Sequence, residues 1–115
     1  MAKEAPHRKK VRKVAPAVID YAERVIYGEV WERPGLTKRE RSMITLAALV
    51  AMGREGQMKG HFTRALQNGV TKTEIAEILT HLSFYCGWPA SITASLVAHD
   101  VMEKPSARKE NSRKK

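Results

Sequence analysis

With one cysteine, Cys86, among 115 residues, the chain can form no intramolecular disulfide framework and suits a reducing compartment. No apolar run reaches the roughly 18 residues needed to cross a membrane. The N-terminus is basic but lacks the apolar stretch of a secretory signal, so a cytoplasmic location is expected. Strand signals are missing throughout. Ser42 and Ser83 lack the G-x-S-x-G turn of a serine hydrolase. His7 lies in the basic N-terminal end, and His81 and His99 stand far from His61 without metal-ligand spacing, so no metal site is expected.

Positive charge is abundant but unevenly placed. The formal net charge is +9, yet residues 14–103 carry nine bases against ten acids. The excess belongs to the two ends, residues 1–13 and 104–115, each with six Lys or Arg and one Glu. Both ends lack the apolar residues that folding requires, so residues 1–15 are expected as a flexible basic arm and 105–115 as a flexible basic tail. No recognisable nucleic-acid module accompanies the charge, and the ends read as solvated rather than as nucleic-acid readers.

Between them, residues 16–104 are expected as a single helical domain. Pro16 suits a first helical turn, and Val18, Ile19, Ala22, Val25, Ile26 and Val30 recur at helical spacing toward a stop near Gly28. Arg33-Pro34-Gly35 reads as a turn. Thr37-Lys38-Arg39-Glu40 has the capping-box form, in which hydroxyl and carboxylate satisfy the first helical amides. The helix it opens is apolar almost all round from Met43 to Met52, which predicts burial on most sides, and Gly53 ends it.

A further helix from about Glu55 to Gln67 carries Met58, Phe62, Ala65 and Leu66 on one stripe and closes at Asn68-Gly69. Thr71-Lys72-Thr73-Glu74 repeats the capping box, and Ile75, Ile78, Leu79, Leu82 and Tyr85 follow at helical intervals. Pro89 opens a last helix with Ile92, Leu96, Val97 and Val101 as its apolar positions, and Pro105 ends it. An all-α bundle follows, and the heavily apolar second helix of so small a domain predicts a homo-oligomer.

His61 is the leading catalytic candidate, because imidazole accepts and donates protons near neutral pH and this one borders an apolar stripe. The competing reading is a hydrogen-bonded structural histidine. Arg33, Arg39 and Arg41 gather with Trp31 around the entrance of the second helix and suit a carboxylate ligand, or else pair with Glu32 and Glu40. Tyr85 and Trp88 either line a pocket or close the core, and Cys86 reads most simply as a small buried hydrophobe.

The ordered series G-E-V-W-E-R-P-G-L, R-E-R-S-M-I-T-L-A-A-L, the His61 helix, A-L-Q-N-G-V-T-K-T-E-I-A-E-I and F-Y-C-G-W-P-A resembles the carboxymuconolactone decarboxylase family from Gly28 to about Glu103. The resemblance implies an all-helical fold shared with the alkylhydroperoxidase D proteins, assembled as trimers or hexamers with active sites near subunit contacts. It also implies conversion of 4-carboxymuconolactone to 3-oxoadipate enol-lactone and carbon dioxide, in aromatic catabolism, with no cofactor. On that basis His61 is the expected proton donor. Arg33, Arg39 and Arg41 are then expected to orient a small carboxylated substrate, with Gln57, Trp31 and Tyr85 shaping the pocket.

Two departures from the pattern narrow the chemistry. The redox Cys-x-x-Cys of alkylhydroperoxidase D falls on Arg54 and Gln57, so the dithiol route to peroxide reduction is excluded. Where the decarboxylases typically read Glu-Glu-Leu-x-x-His, this chain reads Gly56-Gln57-Met58-Lys59-Gly60-His61. The alternative to a decarboxylase is therefore a family member that binds a small ligand or a protein partner without turnover.

Overall fold

Thr37 and Thr71 each begin a long helix in the computed structural model, which describes residues 5–104. In chain order the helices are α1 (Pro6–Val14), α2 (Pro16–Tyr21), α3 (Lys38–Met52), α4 (Glu55–Gln67), α5 (Lys72–Tyr85) and α6 (Trp88–Met102). A π-helical turn, Ala22–Ile26, follows α2, and a 3₁₀ turn, Val30–Glu32, precedes α3. No strand occurs among the described residues, and the architecture is all-α as the periodicity predicts.

The described residues group into two compact units that divide between Leu36 and Thr37. In the first, the expected basic arm is helical: Pro6 occupies the first turn of α1, where its missing N–H costs nothing. Arg12 donates to Asp20 at 3.0 Å and to Glu23 at 3.1 Å, while Arg8 approaches Glu23 at 3.9 Å. Acids supplied by residues 16–26 thus replace the apolar surface that the arm lacks. The expected tail, 105–115, and the stop at Pro105 lie outside the described residues.

The single helix expected from Pro16 changes character at Ala22. Tyr27 N–H donates to the Ala22 carbonyl at 2.9 Å, an i→i−5 bond that widens the last turn. Gly28 closes it. A Cβ built there would sit 2.4 Å from the Arg24 carbonyl oxygen, so only glycine allows the chain to leave so close to the preceding turn. Ile19 and Trp31 are the buried apolar side chains of this unit.

The second unit is organised by an apolar core. Leu46 and Val50 of α3, Met58, Phe62, Ala65 and Leu66 of α4, Val70 of the α4–α5 loop, Ile75 and Leu79 of α5, and Ala94, Ala98 and Val101 of α6 form one cluster. At about 25 cal/mol per Å² of apolar surface removed from water, that cluster is the dominant stabilising term for these helices. Both capping boxes form: Glu40 N–H and Glu74 N–H donate to Thr37 and Thr71 hydroxyls, and each glutamate accepts from the threonine's N–H in return. Gly53 ends α3 at φ +68°, a left-handed turn that a Cβ would strain.

Two features of the packing add to the apolar pattern. On α6 the inward side is the small-residue face, Ser91, Ala94, Ala98 and Val101, whereas Ile92 and Leu96 are exposed. Small side chains allow α6 to lie close against α4 and α5, and the bulky residues face outward. The second concerns α3, which buries Leu46 and Val50 and leaves Ile44 and Met52 more than half exposed within one chain.

Candidate active site

On α4, positions 57, 61, 64 and 68 are separated by four, three and four residues, so Gln57, His61, Arg64 and Asn68 share one stripe. It borders the buried stripe of Met58, Phe62, Ala65 and Leu66. Burial increases along it: Gln57 is exposed, while His61, Arg64 and Asn68 are half-buried. Asn68 Nδ2 donates to the buried Ser42 hydroxyl at 3.0 Å, which directs that end of the stripe toward α3. An imidazole and a guanidinium thus lie one turn apart at the edge of an apolar core.

Beside this stripe, α4 is bare. Gly56 and Gly60 stand four residues apart, and a Cβ added at either meets nothing within 4 Å. Glycine inside a helix is less favourable than alanine by about 0.5–1 kcal/mol, so the first half of α4 gives up stability where it carries Gln57 and His61.

The expected arginines have different surroundings. Arg39, in the first turn of α3, pairs with Glu74 of α5. Glu74 therefore does two jobs, one oxygen accepting from the Thr71 N–H at 2.9 Å and the other facing the Arg39 guanidinium. Arg41 is half-buried, and its carbonyl accepts from the Thr45 hydroxyl at 2.8 Å. Glu40, between them, is held below its ordinary pKa, first by the hydrogen bond from the Thr37 backbone, then by the Thr37 hydroxyl, with Arg39 and Arg41 adding to the effect. The negative capping carboxylate at this helix N-terminus is thereby stabilised.

Arg33 and Trp31 belong to the first unit, where Arg33 is exposed and Trp31 is buried with its ring 5.7 Å from that of Tyr27. Tyr85, at the end of α5, is exposed and stacks on His81 at 4.8 Å. Cys86 is half-buried rather than fully enclosed. Two grooves mark the surface of the second unit. One of about 470 Å³ runs between α5 and α6 over Ile75, Leu79, Trp88 and Ile92; one of about 440 Å³ lies between α3 and α5 beside Met43, Glu77 and His81. Neither is lined by His61, Gln57 or the expected arginines.

Arg64 and Glu74 were not among the sequence-derived candidates. The signal for Arg64 was present as its three-residue spacing from His61. Glu74 had no local signal as a partner of Arg39, 35 positions away. Among the described residues, no group of three or more His, Cys, Asp or Glu side chains is placed to hold a metal ion. No helix among them is long and apolar enough to cross a membrane.

The sequence model of the carboxymuconolactone decarboxylase family matches residues 16–100, a span that includes all of α2 to α5 and most of α6. The chain belongs to the carboxymuconolactone decarboxylase family. It is 43% identical over 84 residues to a 4-carboxymuconolactone decarboxylase of Acinetobacter baylyi, covering 73% of this chain and 63% of that protein. It is 37% identical over 82 residues to a nitrosuccinic acid decarboxylase of Metarhizium robertsii, covering 68% and 57%. An uncharacterized protein of Paracoccus denitrificans is 34% identical over 77 residues, covering 65% and 58%. The chain thus spans less than two thirds of the length of each of these relatives. On its α4 stripe, His61 has Gln57 one turn before it and Arg64 one turn after it.

Proposed function

We propose that the protein is a cofactor-independent carboxy-lyase acting on a small carboxylated lactone or a comparable activated carboxylate. The observation that carries this reading is the half-buried His61 beside Arg64 on the edge of the α4 core, in a chain of this family. Carboxymuconolactone and nitrosuccinic acid, named for two relatives, both join a carboxylate to an electron-withdrawing group. In the lactone, the electron pair left by departing carbon dioxide flows through the ring alkene to the lactone carbonyl and makes a dienolate. The substrate supplies its own electron sink.

The protein then has three tasks: to orient the carboxylates, to stabilise the developing oxyanion and to return a proton to carbon. Arg41 and Arg64 serve the first, with Arg39 contributing once it leaves Glu74. Gln57, one turn before His61, offers an amide donor to the oxyanion or to the imidazole. His61 delivers the proton, and Tyr85 shapes the enclosure. Residues 16–104 act as one functional domain in this reading, in a cytoplasmic homo-oligomer. The exposed Ile44, Met52, Trp88, Ile92 and Leu96 support association, since these side chains leave large apolar surfaces in water within one chain.

The test is carbon dioxide release from 4-carboxymuconolactone by the purified protein. Release is expected, and His61→Ala should cut it by about 10²–10⁴-fold, the range for loss of a general acid, with the oligomer retained on size exclusion. Binding of the lactone with no release from the wild type, unchanged in His61→Gln, establishes the non-catalytic ligand-binding alternative instead.

A further inference from the structure

The helix α1 sorts its cations by type. Arg8 and Arg12, four residues apart on one stripe, turn toward the rest of their unit, where Arg12 is bound by Asp20 and Glu23 and Arg8 lies near Glu23 and 5.9 Å from the Tyr27 ring centre. Lys9, Lys10 and Lys13 occupy the opposite arc of the helix and are exposed, with no ion pair among the described residues. The nearby acids are engaged by the arginines. Lys9 and Lys13 lie about 5–6 Å apart at their Cβ atoms, as four-residue spacing dictates.

We infer that this lysine face of α1 docks on the phosphate backbone of duplex nucleic acid, independently of sequence. A rigid row of unneutralised ammonium groups gains affinity by releasing counterions from a linear polyanion, and flexible stems let each lysine follow a phosphate as a point charge. Base reading is not expected. The arginines, whose forked donors suit guanine edges, face inward, and the outer arc holds no Asn or Gln. A lipid surface is a poorer match because α1 has only Val11 and Val14 to insert and no aromatic side chain. The inference goes beyond the decarboxylase reading and does not depend on it.

The experiment measures fluorescence anisotropy of a short labelled DNA duplex with the full chain, across about 50 to 200 mM salt. Each phosphate neutralised steepens the log–log salt dependence by about 0.9, so replacing all three lysines with Ala should flatten it by about 2.7. Across that salt range the wild type should then lose about 40-fold more affinity than the variant. Replacing all three with Arg should preserve the slope, and circular dichroism should show unchanged helicity in both variants. The inference is overturned if the wild type fails to bind at the lowest salt, or if the Ala variant keeps the wild-type slope. It is equally overturned if neutralising Arg108, Lys109, Arg113, Lys114 and Lys115 alone removes the binding. Retention of the protein on anionic phosphatidylglycerol vesicles through the three lysines, without duplex binding, assigns the face to lipid and also overturns it.

Discussion

Residues 5–36 and residues 37–104 are held together by different physics. The first unit buries Ile19 and Trp31 and relies on arginine–carboxylate pairs, ring contacts and a glycine-limited turn. The second buries a continuous cluster drawn from α3 to α6 and uses polar contacts chiefly to cap and register its helices. Charge screening leaves apolar burial untouched, whereas exposed ion pairs weaken as salt is raised. The first unit therefore draws a larger share of its side-chain contacts from salt-screened pairs than the second does.

The largest effect should come from the core. Phe62 is fully buried among α4's neighbours, and Phe62→Ala should lower the unfolding free energy by about 3–5 kcal/mol in urea titrations. A loss under about 1 kcal/mol would erase the distinction between the two units. Gly28→Ala should come next, costing about 1–3 kcal/mol as the added Cβ is forced against the Arg24 carbonyl. Hydrogen exchange should localise that loss to amides of residues 16–30, and equal deprotection of α4 and α5 would show that the turn governs the whole chain. The smallest effect belongs to Arg12→Ala, about 0.2–1 kcal/mol, shrinking further as salt is raised. A cost that is unchanged in high salt would mean that packing of the arginine stem, not charge, holds α1.

Most of the second unit was legible because local chemistry and periodicity agree there. Thr37 and Thr71 announce the starts of α3 and α5, and Gly53 announces the end of α3, in signals only a few residues long. Failures arose where distant residues decide. The charge count gave no hint that α1 forms, since its arginines are matched by Asp20 and Glu23 through folding rather than adjacency. On α6, the apolar positions Ile92 and Leu96 stay exposed, while close helix packing selects Ala94 and Ala98 for the core.

The candidate site shows the same division. His61 and Gln57 were readable from their spacing on one helix, and Arg64 was readable by the same rule. The pairing of Arg39 with Glu74 was not readable, because Glu74 comes from another helix. Tyr85 followed the apolar rhythm of α5 yet emerges at the surface against His81. Periodicity assigns a residue to a face, and only the arrangement of neighbouring helices decides what that face meets.

The π-helical turn at Ala22–Ile26 also bears on how this segment varies by insertion and deletion. An i→i−5 bond accommodates one more residue per turn than the regular ladder, so the turn has the form of a helix that has absorbed a single-residue insertion. Loss of one residue there restores an α-helical turn and shortens the path to Gly28 without breaking the helix. A length change of one at this point is therefore absorbed locally, whereas the same change inside α4 rotates His61 by about 100° away from its stripe.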